Sequence, residues 1–144
     1  MRIFIDSSIV LAFLAGQDER AKRLVSKVEE GAVTGYINPV VIDEVIHGYL
    51  RLATRLSSRR IRQLLARRER FLAELVRSDV IPVLELFTPL PLAASPHEVA
   101  AYMERYGLMP ADAMIALTCE AYGIKTIATL DEDFKRIPWL EVVP

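Results

Sequence analysis

Residues 1–10, MRIFIDSSIV, decide how the rest of the chain is read. Ile3, Phe4 and Ile5 form a short apolar run of the kind that makes a buried strand. The run stops on Asp6, and Ser7 or Ser8 can cap a helix that continues through Leu14. A strand that passes straight into a helix suits a parallel sheet, whose neighbouring strands are joined by crossovers rather than tight turns. The acid at the join needs a reason, because desolvation at the end of an apolar strand penalises an unpaired charge.

The alternation continues downstream. Gly16-Gln17-Asp18 separates the first helix from a second, which carries Ala21, Leu24, Val25 and Val28 at helical spacing and ends at Gly31. A second strand is expected from about Val33 to Ile37. Asn38 then caps a helix with Pro39 at its first position and Val41, Val45, Tyr49 and Leu52 on one face. After Ser57-Ser58 the pattern predicts one long amphipathic helix carrying Ile61, Leu64, Leu65, Phe71, Leu72, Leu75 and Val76. Pro82, Pro89, Pro91 and Pro96 divide the next stretch, with a short third strand expected around Leu86 to Leu90. Helices from Pro96 to about Tyr106 and from Pro110 to Tyr122 follow, then a strand at Thr126 to Ala128, a helical turn at Asp131 to Arg136 and a last strand from Leu140 to Val143. Strands alternating with helices predict an α/β sandwich on a mostly parallel sheet.

At 144 residues and 16.2 kDa the chain has the size of one domain, and residues 1–144 are expected to form one. A content of 52% hydrophobic and 26% charged residues excludes disorder, and no apolar stretch approaches the roughly 20 residues of a membrane span. Asp6 falls too early for the apolar core of a signal peptide, so a cytoplasmic protein is expected. The single cysteine, Cys119, cannot form an internal disulfide and reads as a small apolar helix residue. The net charge of −1 is lopsided: eight arginines and one acid between Arg51 and Arg70 give +7, leaving −8 elsewhere. Only the basic segment would attract phosphate.

In open parallel sheets, ligands bind beyond the carboxyl ends of the strands. Four acids fall at such places: Asp6 after the first strand, Glu44 early in the helix after the second, Asp112 in the first turn of the helix begun by Pro110, and Asp131 after the Thr126–Ala128 strand. Asp112 also suits the helix dipole, and Glu44 can equally be a surface acid, although its face is mostly apolar. Asp133 competes with Asp131 and can instead cap or be solvated. If the four converge, their mutual repulsion calls for a cation. With oxygen ligands only, and with His47 and His97 each alone, Mg²⁺ or Mn²⁺ is favoured over Zn²⁺. Carboxylate-held ions of this kind act on phosphates; without a glycine-rich phosphate loop, phosphodiester hydrolysis fits better than nucleotide triphosphate chemistry.

The segments FIDSS, NPVVIDEV, MPADAMIALTCEAYG and TLDEDF, in this order, resemble the PIN-domain ribonucleases, especially the VapC-type toxins of prokaryotic toxin–antitoxin pairs. The likeness spans nearly the whole chain, and its last two motifs are the most specific. It implies a three-layer α/β/α domain and a metal-dependent endoribonuclease. Asp6, Glu44, Asp112 and Asp131 match the family's acidic quartet, Asp133 the second acidic place of the final motif, and Ser8 and Thr129 its supporting hydroxyl positions. NPVVID lacks the serine or threonine that many relatives carry there. The implied reaction uses Mg²⁺ or Mn²⁺ to activate water against RNA, leaving a 5′-phosphate and a 3′-hydroxyl. The resemblance also implies a small inhibitory antitoxin protein, with helices around Val41 to Leu52 and Ile61 to Val76 as walls of its groove, and a homodimer.

The basic segment lies outside the acidic motifs and has two readings. Arg51, Arg55, Arg59, Arg60 and Arg62 can grip RNA phosphates, or the arginines can simply solvate the outer face of a helix. Other classes fit less well. A haloacid-dehalogenase-like phosphatase needs an aspartate where Ser8 stands, and a response-regulator receiver needs its lysine after a late strand, whereas Lys125 precedes one. A PIN nuclease that processes RNA without being a toxin, or a PIN module with a decayed site, shares the fold; the intact quartet argues against decay.

Overall fold

The computed structural model describes residues 1–144. Five parallel strands, β1 (Arg2–Ile5), β2 (Thr34–Ile37), β3 (Thr88–Pro89), β4 (Thr126–Ala128) and β5 (Glu141–Val143), form one sheet in the order β3-β2-β1-β4-β5. The order runs outward from β1 to β3, then returns to the other side of β1 for β4 and β5. With right-handed connections this reversal sends the helices before β4 to the face opposite those before β2. The result is an α/β/α sandwich whose switch point lies between β1 and β4, the place where the carboxyl ends of neighbouring strands open a crevice.

The helices are α1 (Ser7–Ala15), α2 (Glu19–Glu29), α3 (Pro39–Thr54), α4 (Ser58–Ala66), α5 (Phe71–Leu75), α6 (Ile81–Leu84), α7 (Pro96–Tyr106) and α8 (Pro110–Ala121). A π-helical segment at Val76–Val80 joins α5 to α6, and a 3-10 turn spans Glu132–Arg136. Phe4, Ile5, Ile9, Ile115, Ile127 and Phe134 are fully buried at the centre of a 29-residue apolar core. Each such side chain contributes about 1.5–3 kcal/mol by leaving water. Gly35 in β2 is there for close packing: a Cβ at this position would lie 2.8 Å from Phe87 and 3.1 Å from Ile5. No helix is long and apolar enough to cross a membrane.

Four expectations need correction. Neither Ser7 nor Ser8 is the cap of α1: the cap position is Asp6 itself, and both serines are helical, because Asp6 must end β1 while its carboxylate is engaged elsewhere. The single helix expected across Ile61 to Val76 is broken, since α4 stops at Ala66 and Arg68 adopts φ 59°. Pro82 does not divide the chain. The widened turn before it lets the Ile81 amide donate to the Val76 carbonyl, so the helix accommodates a residue without an N–H. The third strand is shorter than the expected Leu86 to Leu90, because only Thr88–Pro89 pairs with β2.

Candidate active site

The site grows from the register of β1 against β4. Ile5 pairs with Ala128, and the Asp6 amide extends the ladder by donating to the Ala128 carbonyl at 3.0 Å. Asp6 and Thr129 therefore leave adjacent strands side by side. Asp6 is 5% exposed, and its Oδ2 accepts from both Ser8 Oγ and Thr129 Oγ1 at 2.7 Å. With both hydroxyl protons spent on Oδ2, the 3.3 Å approach of Ser8 Oγ to Thr129 Oγ1 has no proton left to share. The two oxygens also accept backbone amides, Leu130 N–H on Ser8 at 3.0 Å and Asp131 N–H on Thr129 at 2.9 Å. Asp6 Oδ1 takes no hydrogen bond. Since no fully buried side-chain polar atom lacks a partner, Oδ1 is the atom left open to the crevice.

The remaining acids arrive on separate elements. Asp131 caps the 3-10 turn through Oδ1, which accepts from the Asp133 amide at 2.9 Å. Pro110 starts α8 and places Asp112 in its first turn. Carboxylate oxygens of Asp112, Asp131 and Asp133 lie within 4.8 Å of one another. Glu44 comes from α3, where Ser7 Oγ donates to its Oε1 at 3.5 Å. Asn38, fully buried, fixes the start of that helix by accepting from the Val41 amide at 3.1 Å and donating to Thr118 Oγ1 of α8 at 3.0 Å. That bond ties the helix carrying Glu44 to the helix carrying Asp112.

Electrostatics bring all five acids into one system. Burial, reinforced by the charges of Asp6 and Asp112, pushes Glu44 up to about 7, with the Ser7 hydroxyl opposing. Burial, then the charges of Asp131, Asp6 and Asp133, pushes Asp112 up to about 6. No lysine or arginine pairs with Asp6, Glu44, Asp112 or Asp131; only Asp133 has a cation, Arg136 Nη2 at 2.9 Å. Clustered carboxylates without a protein counter-charge, offering oxygen donors alone, suit a hard divalent cation. The donor set therefore fits Mg²⁺ or Mn²⁺.

A PIN domain family model matches residues 3–140. The chain belongs to the PIN domain family. Ribonuclease VapC2 of Methanocaldococcus jannaschii is 35% identical over 147 residues, covering 99% of this chain and 93% of the relative. Ribonuclease VapC of Rickettsia bellii is 31% identical over 153 residues, covering 99% and 96%. Among solved structures, VapBC2 from Rickettsia felis bound to a promoter DNA fragment superposes with a TM-score of 0.64 at 18% identity, covering 99% of this chain and 98% of that one. FitAcB from Neisseria gonorrhoeae gives 0.61 at 22% identity, covering 100% and 97%. These structures share the PIN fold.

The other residues singled out in this PIN chain lie away from the acids. Arg51 and Arg55 end α3, and Arg59, Arg60 and Arg62 lie on α4; all are exposed and none makes an ion pair. His47 hydrogen-bonds Ser58 at 2.8 Å. Between α3 and the α4–α6 helices lies an apolar cavity of about 300 Å³ lined by Ile46, Leu50, Leu65, Leu72, Val76 and Ile81. Sequence reasoning missed Ser7 as the hydroxyl on Glu44 and Asn38 as the link to Thr118. Ser7 adjoins a motif residue and was within reach; the Asn38 link spans 80 positions and has no local signal.

Proposed function

We propose that the chain is a metal-dependent endoribonuclease and the toxin of a toxin–antitoxin pair. The observation that carries the reading is the group of Asp112, Asp131 and Asp133, whose carboxylate oxygens lie within 4.8 Å of one another, with the charges of Asp6 and Glu44 felt by the same group and no lysine or arginine paired with any of the five except Arg136 with Asp133. Relatives at 35% and 31% identity over nearly the whole chain bear the name ribonuclease. Asp6, Glu44, Asp112, Asp131 and Asp133 would hold Mg²⁺ or Mn²⁺. When bound, such an ion neutralises charge on the scissile phosphate and makes a water easier to deprotonate. Ser8 and Thr129 fix the Asp6 carboxylate so that Oδ1 faces the crevice, and Ser7 orients Glu44. The expected products carry a 5′-phosphate and a 3′-hydroxyl. Lys135 lines the cavity beside Asp131 but is paired with Glu132, so the proton for the leaving oxygen is assigned to solvent.

The apolar cavity between α3 and α4–α6 is the expected seat of an antitoxin segment, with exposed Leu65 and Ile81 in its lining. Cytoplasmic location and a homodimer belong to the same reading, as does a single domain over residues 1–144. The test is cleavage of a structured RNA in Mn²⁺ by the wild type and by Asp6→Asn. Cleavage that needs the ion and falls at least about 100-fold in the variant is expected. Metal-independent cleavage, or full activity in the variant, sinks the metal-site reading.

A further inference from the structure

An all-carboxylate centre repels the polyanion it would cut, so the strand on either side of the scissile bond needs cations to hold it. The segment rich in arginine lies toward the far end of α3 and on α4. On the opposite flank, one cavity opens beside Asp131 and a second adjoins it farther along. The first, about 420 Å³, is lined by Thr129 and Asp131 on the site side and by Arg20, Lys135 and Pro144 beyond. The second, about 210 Å³, shares Arg20 and Pro144 with the first and continues to Arg23 and Lys27.

Arg20, Arg23 and Lys27 follow one another at helical spacing, so they form one stripe along α2, about 10 Å long at 1.5 Å per residue. The opposite face of the helix buries Ala21, Leu24, Val25 and Val28 in the core, which fixes the stripe outward. The acids that face the stripe are few. Asp18 binds Arg20 through both Nε and Nη2, at 3.3 and 3.0 Å, and Glu132 binds Lys135 at 2.6 Å. The Lys135 pair is exposed, and in the other Arg20 is exposed while Asp18 is half-buried, so both cations keep a face that a phosphate can reach. Arg23 and Lys27 make no ion pair at all.

We propose that the groove from Asp131 past Lys135 and Arg20 to Arg23 and Lys27 binds the sugar-phosphate backbone of the RNA strand on one side of the scissile bond. This subsite rests on the nuclease reading above and assigns α2 the task of positioning substrate. A single line of cations matches one strand, and its connection to Asp131 sets the strand's direction out of the site.

The test is steady-state cleavage of a single-stranded RNA oligonucleotide in Mn²⁺ over a series of salt concentrations. It compares the wild type with R23E/K27E and with K22E, a charge reversal on the same helix at a residue lining neither cavity. In R23E/K27E, KM should rise about tenfold with kcat within about twofold, and the slope of log(1/KM) against log salt should fall by about 1.4, or 0.7 for each single-strand phosphate contact. R23K, which keeps the charge, should retain most of the wild-type affinity. KM and slope indistinguishable from those of K22E overturn the subsite while leaving the nuclease reading intact, the outcome expected if the stripe serves an acidic protein instead. Absence of metal-dependent cleavage by the wild type overturns both.

Discussion

Ser8 shows how one hydroxyl can join two strands at the switch-point crevice. It donates to Asp6 Oδ2 and accepts the Leu130 amide, so it both aims the carboxylate and pins the turn that leads to Asp131. Ser8→Ala leaves that amide without its acceptor and Asp6 with one hydroxyl in place of two. The expected cost is about 1–2 kcal/mol of stability, measured by denaturant unfolding, and about 10–100-fold in metal-dependent cleavage. Ser8→Thr keeps the oxygen and should recover most of both; a Ser8→Ala enzyme with wild-type activity would show that Thr129 alone suffices to orient Asp6. Asp6 was legible in the sequence because an acid at the end of an apolar strand is penalised unless something partners it, whereas Ser8 read locally as a helix cap and as a support of Asp6 only through the resemblance. The bond from Thr129 was legible only through the resemblance, since 123 residues separate it from Asp6. The roles of Ser7 and Asn38 depend on how α3 docks, which no local pattern encodes.

At the scale of elements, the chain's alternation of strands and helices reads correctly at α7 and α8, where a cap or a proline marks the boundary. Ser95 closes a capping box with Glu98, Pro96 and Pro110 open α7 and α8, and these ends stand where the pattern puts them. The failure lies between Ser58 and Leu84, where the apolar stripe keeps helical spacing across a break that has no glycine. Arg68 occupies the left-handed position: its amide bonds to Leu65 at 2.9 Å and the Glu69 amide to Leu64 at 3.1 Å, the paired bonds of a Schellman motif. A side chain with a Cβ is disfavoured there by about 1–2 kcal/mol relative to right-handed helix. Arg68→Gly should therefore raise unfolding free energy by about 1 kcal/mol, read from the denaturant midpoint at unchanged slope. A loss of stability instead would mean that the arginine makes compensating contacts through its exposed side chain. The π-helical segment was equally hidden, because Pro82 signals a helix end unless the preceding turn widens to absorb it.

At the scale of the whole molecule, the fold concentrates negative charge at one crevice and leaves cations on the surfaces around it. In the absence of a divalent ion this arrangement works against folding at neutral pH. Glu44 is pushed from its ordinary 4.5 up to about 7, and Asp112 from 3.8 up to about 6, both first by burial and then by neighbouring acids. The folded protein therefore retains protons that the unfolded chain has released, and stability falls as pH rises. The contribution is fully present below about pH 4, is lost between about pH 4 and 7, and is flat above that window. Thermal melts in chelator should show a falling midpoint across it, and Glu44→Gln with Asp112→Asn should flatten the fall. Mn²⁺ should reverse the slope, since it would bind only the ionised carboxylates; at 100 times its dissociation constant it should add about 2.7 kcal/mol near pH 8 and almost nothing at pH 4.5. A midpoint in chelator that is flat from pH 4 to 7, or a Mn²⁺ stabilisation equal at both ends, would mean that the acids are not held together strongly enough to need an ion. Because the carboxylates come from the end of β1, α3, α8 and the turn after β4, an ion held by them would also join the two halves of the sheet on either side of its switch point. The stabilisation should accordingly appear as a shift of the entire cooperative transition, not of one early phase.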